Sequence, residues 1–320
     1  RVNTINDNPR LGGRTGYRLV GHNVAYLVPP AKYGKDHPEY YALVDGQRKL
    51  EMGGGGPQLC VTNPEVVDIV THAVLDEIAR NPDAKNISIA QMDNEAYCTC
   101  PNCAAVDTRE ESHAGAHLEL VNTVAERIEK SHPDVLISCY AYQYTRKPCK
   151  NLRARRNVLV QLCSIECCDF HAIDDPSCAL NRAFCEDTAG WKRKADHLLV
   201  WHYNANFMGY MLPFPNLRSI GPSVRYFHAN NGRGVFMQAG GNAMSAELSD
   251  LRNYLMARCL WKPGRDSWAE AEEFCRRHYA EAAPPILDYL AWYHDLVDRA
   301  GVHPTCFPTE SSLCIDPDSA

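Results

Sequence analysis

The stretch NISIAQMDNEAYCTCPNC, residues 86–103, joins a short apolar run to a cluster of polar side chains. Its apolar part, residues 86–92, has the length and composition of a buried strand and stops abruptly at Asp93, Asn94 and Glu95. Three cysteines follow within a few residues. The stretch therefore predicts a strand, a loop that carries acids, and a segment suited to metal binding or disulfide formation.

Short apolar strands alternate with amphipathic helices along the rest of the chain, which predicts an α/β fold with a parallel sheet. The predicted strands are 22–29, 86–92, 135–142, 157–165, 197–203 and 234–240. The predicted helices are 63–82, 112–134, 179–195, 216–232, 245–264 and 267–300. Asn63, Ser245 and Ser267 are the expected N-caps.

The simplest architecture for this alternation is a (β/α)8 TIM-type barrel over residues 1–300, followed by a C-terminal loop segment, 301–320. RVNTIN at residues 1–6 is a candidate seventh strand, and the first barrel strand is expected upstream of residue 1. The alternative is an open doubly wound sheet. Against it, no glycine-rich phosphate loop joins a strand to a helix, and GGGG at residues 53–56 is interpreted as a flexible turn.

Composition excludes several classes of protein. With 320 residues, of which 45% are hydrophobic, the chain can bury a core, and its net charge of -6 argues against a nucleic-acid partner. No run approaches the ~20 apolar residues of a membrane helix. The oligomeric state is not readable from the sequence.

Polar side chains concentrate where the predicted strands end, and in a parallel barrel the active site is built there. The candidate catalytic carboxylates are Asp93, Glu95 and Glu166. The candidate substrate-binding residues are His22, Asn94, Tyr140, Tyr142, Trp201, Tyr203, Asn204 and Gln238.

Aromatic rings beside amides and acids suit an oligosaccharide or polysaccharide, because sugar rings stack and sugar hydroxyls need hydrogen-bond partners. Cleavage of a glycosidic bond needs an acid and a second carboxylate. Asp93, with Glu95 as competitor, is the expected acid, and Glu166 the expected base or nucleophile. Alternatively, Asp93 caps its loop and Glu166 pairs with an arginine. Aromatic residues at 201 and 203 face one side of their strand, either the barrel mouth or the core.

The fifteen cysteines are an odd number, so they cannot all pair within the chain. Cys98, Cys100 and Cys103 form a C-x-C-x-x-C, which fits a structural zinc, a disulfide with one thiol left over, or free buried thiols. Catalysis itself requires no cofactor in this scheme. A fourth zinc ligand could be any of Cys60, Cys163, Cys167, Cys168 and Cys178.

The chain resembles the bacterial family catalogued as domain of unknown function 4838. The segments MDNEAYCTCPNC, NVLVQLCSIECC, VWHYNANFMGYMLPFPNL and ELSDLRNYLMARCLWKP carry the resemblance, among others. It implies a glycoside-hydrolase-like barrel, related to α-glucuronidases and β-hexosaminidases, usually preceded by a small α/β domain.

The resemblance implies a periplasmic or secreted location in preference to the cytoplasm, but no particular substrate. An oligosaccharide with an acidic or acetamido sugar is a separate expectation. In the related hexosaminidases the acid belongs to an Asp-Glu pair, whereas here Asn94 follows Asp93. A non-catalytic carbohydrate-binding barrel and a zinc-stabilised interaction module are the alternative functions.

Overall fold

The computed structural model describes residues 16–240, 245–309 and 311–313, which divide into two compact units. The first unit extends to Cys163 and includes Gly190–Leu198. The second comprises Ser164–Ala189 and the residues from Leu199 onward. The predicted boundary after residue 300 is a different division and stays a prediction.

The first unit alternates strands with helices, as predicted for an α/β fold. Its elements are β1 (Tyr17–Arg18), α1 (Val24–Leu27), α2 (Pro30–Tyr33), β2 (Leu43–Val44), β3 (Gln47–Arg48), α3 (Pro64–Arg80), β4 (Asn86–Ser88), α4 (Pro101–Glu110), α5 (Ala114–Glu129), β5 (Leu136–Ala141) and β6 (Val158–Cys163). Two further elements, α6 (Ala179–Lys194) and β7 (His197–Tyr203), have residues in both units.

Parallel pairing places β1, β4, β5 and β6 side by side. Tyr17 pairs with Asn86, Asn86 also pairs with Leu136, and Ile137 pairs with Val158. Nearly every residue of β4, β5 and β6 is buried, as expected for a parallel sheet whose faces are covered by helices. β2 and β3 form a separate antiparallel hairpin.

Helix α3 begins where its capping sequence predicts. Asn63 Oδ1 accepts hydrogen bonds from the backbone amides of Glu65 at 2.9 Å and Val66 at 3.4 Å, and Pro64 occupies the first turn. The buried apolar residues follow the helical period: Val66, Val70, Val74 and Ile78.

The strand predicted over 22–29 is wrong, because this segment forms the short helix α1, and a second short helix, α2, begins directly after it. Val24, Leu27 and Val28 are buried, whereas Tyr26 is 68% exposed. Burial at this spacing fits a helical turn and not the strict alternation of a strand.

Side-chain hydrogen bonding by Asn23 explains why a strand does not form there. Asn23 Oδ1 accepts a hydrogen bond from Ala90 N at 2.9 Å, and its Nδ2 donates to the carbonyl oxygen of Ser88 at 2.8 Å. The amide side chain thereby bonds the backbone groups that a strand would have paired with, and β1 takes the place beside β4.

The second unit is mainly helical. Its remaining elements are α7 (Leu217–Ala229), β8 (Gly232–Gln238), α8 (Ser249–Trp261), α9 (Ser267–His278) and α10 (Ala283–Ala300). The helices share a hydrophobic core in which Cys259 and Cys275 are fully buried, as their apolar positions predict. Other core members are Leu217, Ile220, Leu251, Leu255 and Leu290.

The helix predicted over 267–300 is two helices, interrupted at 279–282. Asp266, and not Ser267, caps the first of them, since its carboxylate accepts hydrogen bonds from two backbone amides at 2.8 and 3.2 Å. The proline pair at 284–285 lacks N–H groups and therefore suits the first turn of a new helix. The predicted cap of α8, Ser245, is also wrong: Leu248 occupies the N-cap position, and no side chain caps this helix.

The sheet contains six strands in the order β1-β4-β5-β6-β7-β8. A closed barrel needs eight, and no further strand of this sheet is found in the described ranges. The candidate strand at residues 1–6 lies outside them. The α/β class is confirmed, whereas the eightfold barrel stays a prediction. None of the described helices has the length and apolar character needed to cross a membrane.

Candidate functional site

The half-exposed carboxylate of Asp93 follows β4 in the first unit and contacts two other predicted site residues. Tyr142 Oη donates a hydrogen bond to Asp93 Oδ1 at 2.9 Å. His22 Nε2 lies 3.7 Å from the same oxygen. Three residues from three separate segments of the chain, each predicted from sequence, therefore form one group.

The geometry around His22 determines which of its nitrogens faces the acid. His22 Nδ1 lies 2.6 Å from the carbonyl oxygen of Gln91. Because a carbonyl only accepts, Nδ1 carries the hydrogen, and Nε2 is the nitrogen that can exchange a proton beside Asp93. The rings of Tyr140 and Tyr142 each lie 5.5 Å from the imidazole. Burial raises the pKa of Tyr140, so its hydroxyl stays neutral.

The side chain of Asn94 forms hydrogen bonds that hold the loop carrying Asp93. Its Nδ2 donates to the carbonyl oxygens of Gly53 at 2.9 Å and Gly56 at 3.1 Å, and its Oδ1 accepts from Ala96 N at 3.1 Å. Gln58 Nε2 donates to the backbone carbonyl of Asn94 at 2.8 Å. A contact between Asn94 and substrate stays a prediction, and it would compete with these bonds.

The glycine run at 53–56, interpreted as a flexible turn, is packed against the acid loop. Asp93 N donates to the carbonyl oxygen of Gly54 at 3.1 Å. Gly54 has a φ of +69°, and a Cβ there would lie 1.9 Å from the carbonyl oxygen of Asp93. Only glycine permits both this dihedral and this approach.

Glu95, the competing acid, differs from Asp93 in its surroundings. Its side chain is exposed and, among the residues that the structure describes, it has no hydrogen-bond or ion-pair partner. Asp93 is held in one orientation by Tyr142, whereas Glu95 is not held. The geometry therefore favours Asp93 of the two.

Four buried thiols meet in the first unit, and they could hold a metal ion. The sulfur atoms of Cys60, Cys98, Cys100 and Cys103 all lie within 4.8 Å of one another. Cys60 Sγ and Cys100 Sγ are 3.6 Å apart. A tetrahedral zinc with ~2.3 Å bonds to sulfur separates its ligands by about 3.8 Å, so the spacing fits.

Polar groups support this cluster of thiols. Leu43 N donates to Cys98 Sγ at 3.3 Å, and Arg48 Nη1 lies 3.8 Å from the same sulfur. Hydrogen bonds from the Cys103 and Cys98 thiols, together with Arg48, lower the pKa of Cys60. Cys60 is the member that the C-x-C-x-x-C spacing alone could not identify.

The predicted aromatic residues of the second unit are in ring contact. Trp201 and Tyr203 stack with ring centroids 6.4 Å apart, and Phe236 packs edge-on against Trp201 at 4.7 Å. Trp201 Nε1 donates to Gln238 Oε1 at 2.6 Å. Trp201 and Gln238 are partly exposed, whereas Tyr203 is buried.

Other predicted residues of this unit lie deeper. Asn204 is fully buried, and its backbone N–H donates to the carbonyl of Gln238 at 2.7 Å, so substrate contact by Asn204 would require this segment to rearrange. His202 is buried beside Ser164, and burial lowers the pKa of His202 to about 4.

Glu166 is half-buried. Glu166 and Asp93 belong to different units, and their pairing stays a prediction.

Asp169 is an ionisable residue that the sequence did not single out. It is 2% exposed, and neither carboxylate oxygen has a hydrogen-bond partner among the described residues. Burial raises the pKa of Asp169 well above its ordinary value, with Arg252 partly opposing the shift. A signal was available in sequence, since the acid interrupts a run of apolar and cysteine residues in CCDF.

A family model described as "Domain of unknown function (DUF4838)" matches residues 1–291. A search of curated proteins finds no match. The structure is similar to a GH36 α-galactosidase from Geobacillus stearothermophilus solved with stachyose, at 11% identity and a TM-score of 0.37, over 76% of this chain and 29% of that one.

An α-galactosidase from Lactobacillus brevis aligns at 12% identity and a TM-score of 0.35, over 71% of this chain and 27% of its own. A family GH13_31 enzyme aligns at 11% identity and a TM-score of 0.35, over 80% and 54% respectively. The chain thus spans less than a third of each α-galactosidase. Because these TM-scores are below 0.5, the activities of these enzymes are not transferred to it.

The close approach of Gly54 to Asp93 predicts that Gly54→Ala destabilises the protein and displaces the acid loop. The positive φ alone costs on the order of 1 kcal/mol, and the overlap with the carbonyl adds to it. Gly53→Ala is the matched control, because a Cβ at Gly53 meets no atom within 4 Å. Thermal unfolding of the two variants checks this. Equal midpoints would contradict the packing described.

Because Asp169 is buried, we expect the free energies of unfolding of the wild type and Asp169→Asn to differ by an amount that depends on pH. The folded pKa of Asp169 is raised, so stability is fully present below the unfolded pKa of ~3.9 and is lost as the pH rises towards the folded pKa. The variant should gain about 1.4 kcal/mol over the wild type per pH unit across that window. Denaturant titrations from pH 4 to 8 measure this difference in the free energy of unfolding. Asp174→Asn, at an exposed position, retains Asp169 and should show the same dependence of stability on pH as the wild type.

Proposed function

We propose that this chain, which belongs to the DUF4838 family, is a carbohydrate-active domain that hydrolyses glycosidic bonds with two carboxylates. The observation that carries the proposal is the group formed by Asp93, Tyr142 and His22. It presents a solvent-accessible carboxylate in a fixed orientation beside aromatic rings. Such a group suits proton transfer to an oxygen of a bound sugar.

Asp93 is proposed as the general acid, in preference to Glu95, because Tyr142 orients its carboxylate. Glu166 is proposed as the base or nucleophile. Glu166 follows β6 along the chain as Asp93 follows β4, and acids in this position supply catalysis in parallel barrels. The proposal requires both carboxylates to reach one glycosidic bond.

The proposed substrate class is an oligosaccharide that contains an acidic or acetamido sugar. Trp201, which is partly exposed, is proposed to offer an aromatic surface to a sugar ring, with the buried Tyr203 stacked against it. The hydrogen bond to Gln238 fixes the orientation of the indole.

The Nε2 atom of His22 is proposed to contact substrate hydroxyls or the transferred proton. Tyr140 is buried and its Oη accepts a hydrogen bond from Gly21 N at 2.9 Å, so its predicted contact with substrate would require this bond to break.

The test is turnover on a panel of aryl glycosides that includes uronic acid and N-acetylhexosamine derivatives. Asp93→Asn should lower kcat/KM by about 10²–10⁴-fold on any substrate that the wild type cleaves, as loss of a general acid does. Glu166→Gln should cause a comparable loss. Tyr142→Phe should cause a smaller one, because it removes only the bond that orients Asp93.

Glu95→Gln is the matched control and should leave kcat/KM unchanged. Full activity of Asp93→Asn would refute the assignment. Glycan binding without turnover, lost in Trp201→Ala but kept in Asp93→Asn, would show a non-catalytic carbohydrate-binding domain instead.

The cysteine cluster is proposed to hold a structural Zn²⁺ that fixes the loop carrying Asp93. Cys98 and Cys100 follow that loop directly, while Cys60 comes from the segment before α3. Four thiolates close the coordination sphere, so the ion would stabilise the fold and take no part in the reaction.

This proposal predicts that Cys60→Ser lowers the zinc content of the purified protein by one ion per chain and lowers its melting temperature. The C-x-C-x-x-C motif is intact in this variant, so the result tests the fourth ligand specifically. Elemental analysis and thermal unfolding measure the two effects. Cys259→Ala, a buried thiol of another core, should keep the metal. Equal zinc contents in both variants would contradict the site.

A further inference from the structure

A second group of metal-ligating side chains lies in the second unit and shares no residue with the proposed carbohydrate site. Cys168, His171 and Cys178 come from the loop between β6 and α6, and His303 comes from the segment after α10. One ligand atom of each lies within 4.8 Å of those of the other three. The sequence contains no recognisable metal-binding motif at these residues, because His303 is distant along the chain from the other three.

The distances within this group resemble those of a metal site. Cys168 Sγ lies 3.1 Å from His171 Nδ1, and the imidazoles of His171 and His303 stack with centroids 4.4 Å apart. A tetrahedral zinc with usual bond lengths places a sulfur and a nitrogen ligand about 3.5 Å apart. Two thiols and two imidazoles are a donor set that zinc prefers.

A buried asparagine fixes the loop that supplies three of the ligands. Asn181, which is fully buried, accepts a hydrogen bond from Cys168 N at 2.8 Å. Its Nδ2 donates to the carbonyl oxygens of Cys168 at 3.1 Å, His171 at 3.3 Å and Ala172 at 3.0 Å. Such outer contacts pre-organise ligands around metals.

A backbone hydrogen bond places the segment that carries His303 beside the loop that supplies the other three ligands. Asp169 N donates to the carbonyl oxygen of Pro304 at 3.0 Å, which places His303 beside the loop. Cys168 and Cys178 are fully buried, whereas His303 is exposed and His171 partly so. An ion could therefore enter from the histidine side and be enclosed on the thiol side.

We propose that Cys168, His171, Cys178 and His303 bind a structural Zn²⁺ that ties the C-terminal segment to the loop between β6 and α6. Four protein ligands fill the tetrahedral positions, which is typical of structural and not of catalytic zinc. The site is independent of the four-cysteine cluster, with which it shares no residue.

The experiment compares His303→Asn with His228→Asn, an exposed histidine of α7 in the same unit. The full chain is purified under reducing conditions, loaded with Zn²⁺, and challenged with a chromogenic chelator. Loss of a ligand should weaken one zinc site by more than the ~10–100-fold that outer contacts contribute. His228→Asn should match the wild type.

Cobalt substitution reports on the same site by a second route. Co²⁺ loaded into His303→Asn should show altered ligand-field absorption, whereas the four-cysteine cluster, which has no histidine, should contribute identically in both variants. Cys178→Ser should additionally reduce the thiolate-to-cobalt charge-transfer band.

Identical chelator competition and cobalt spectra for His303→Asn and His228→Asn would overturn the proposal. A disulfide between Cys168 and Cys178, found by mass spectrometry of the natively purified protein, would overturn it as well. Since His303 is exposed, its substitution should leave folding intact, which circular dichroism verifies.

Discussion

Side-chain amides, together with a few backbone hydrogen bonds, hold the backbone that leaves β4 and carries Asp93. Backbone groups that leave a sheet and stay buried need new partners. Asn23 bonds the segment at Ser88 and Ala90, and Gln58 and Asn94 bond it further on. Every contact of the acid with Tyr142 and His22 depends on this framework, because it decides where the carboxylate points.

The hydrogen bonds made by these side-chain amides explain why Asp93 and Glu95 differ in their packing and exposure. Asp93 lies where the glycine run closes against the loop, and Glu95 lies two residues beyond, exposed to solvent. Residues that seem interchangeable as acids in the sequence are therefore distinguished by backbone packing. Asn94, between them, is an element of that packing, because its side chain bonds Gly53, Gly56 and Ala96.

Strong local patterns made much of the fold predictable. The apolar runs predicted β5, β6 and β7 within a residue or two, and Asn63-Pro64-Glu65 marked the start of α3. The strand predicted at 22–29 was wrong because a short apolar run does not distinguish a strand from a helical turn. Helix α4 was missed because its buried residues include Cys103, Asp107 and Glu110, which carry no apolar period.

The candidate site was predictable where residues follow strands and unpredictable where distant segments meet. Asp93 and Tyr142 were named from strand ends, whereas His22 was named from the start of a predicted strand that does not exist. Cys60 could not be chosen among five cysteines, since its partnership arises only when the segment before α3 folds onto the loop after β4. The buried state of Asp169 likewise depends on packing against residues far along the chain.

The burial of the cysteines has a consequence for chemical labelling. None of the described cysteines forms a disulfide, and Cys185 is the one among them that is not buried. Alkylating reagents reach thiols through solvent, so a maleimide probe should modify Cys185 of the folded chain far faster than the enclosed ones. A fluorophore could thereby be placed on α6 without first replacing the remaining described cysteines.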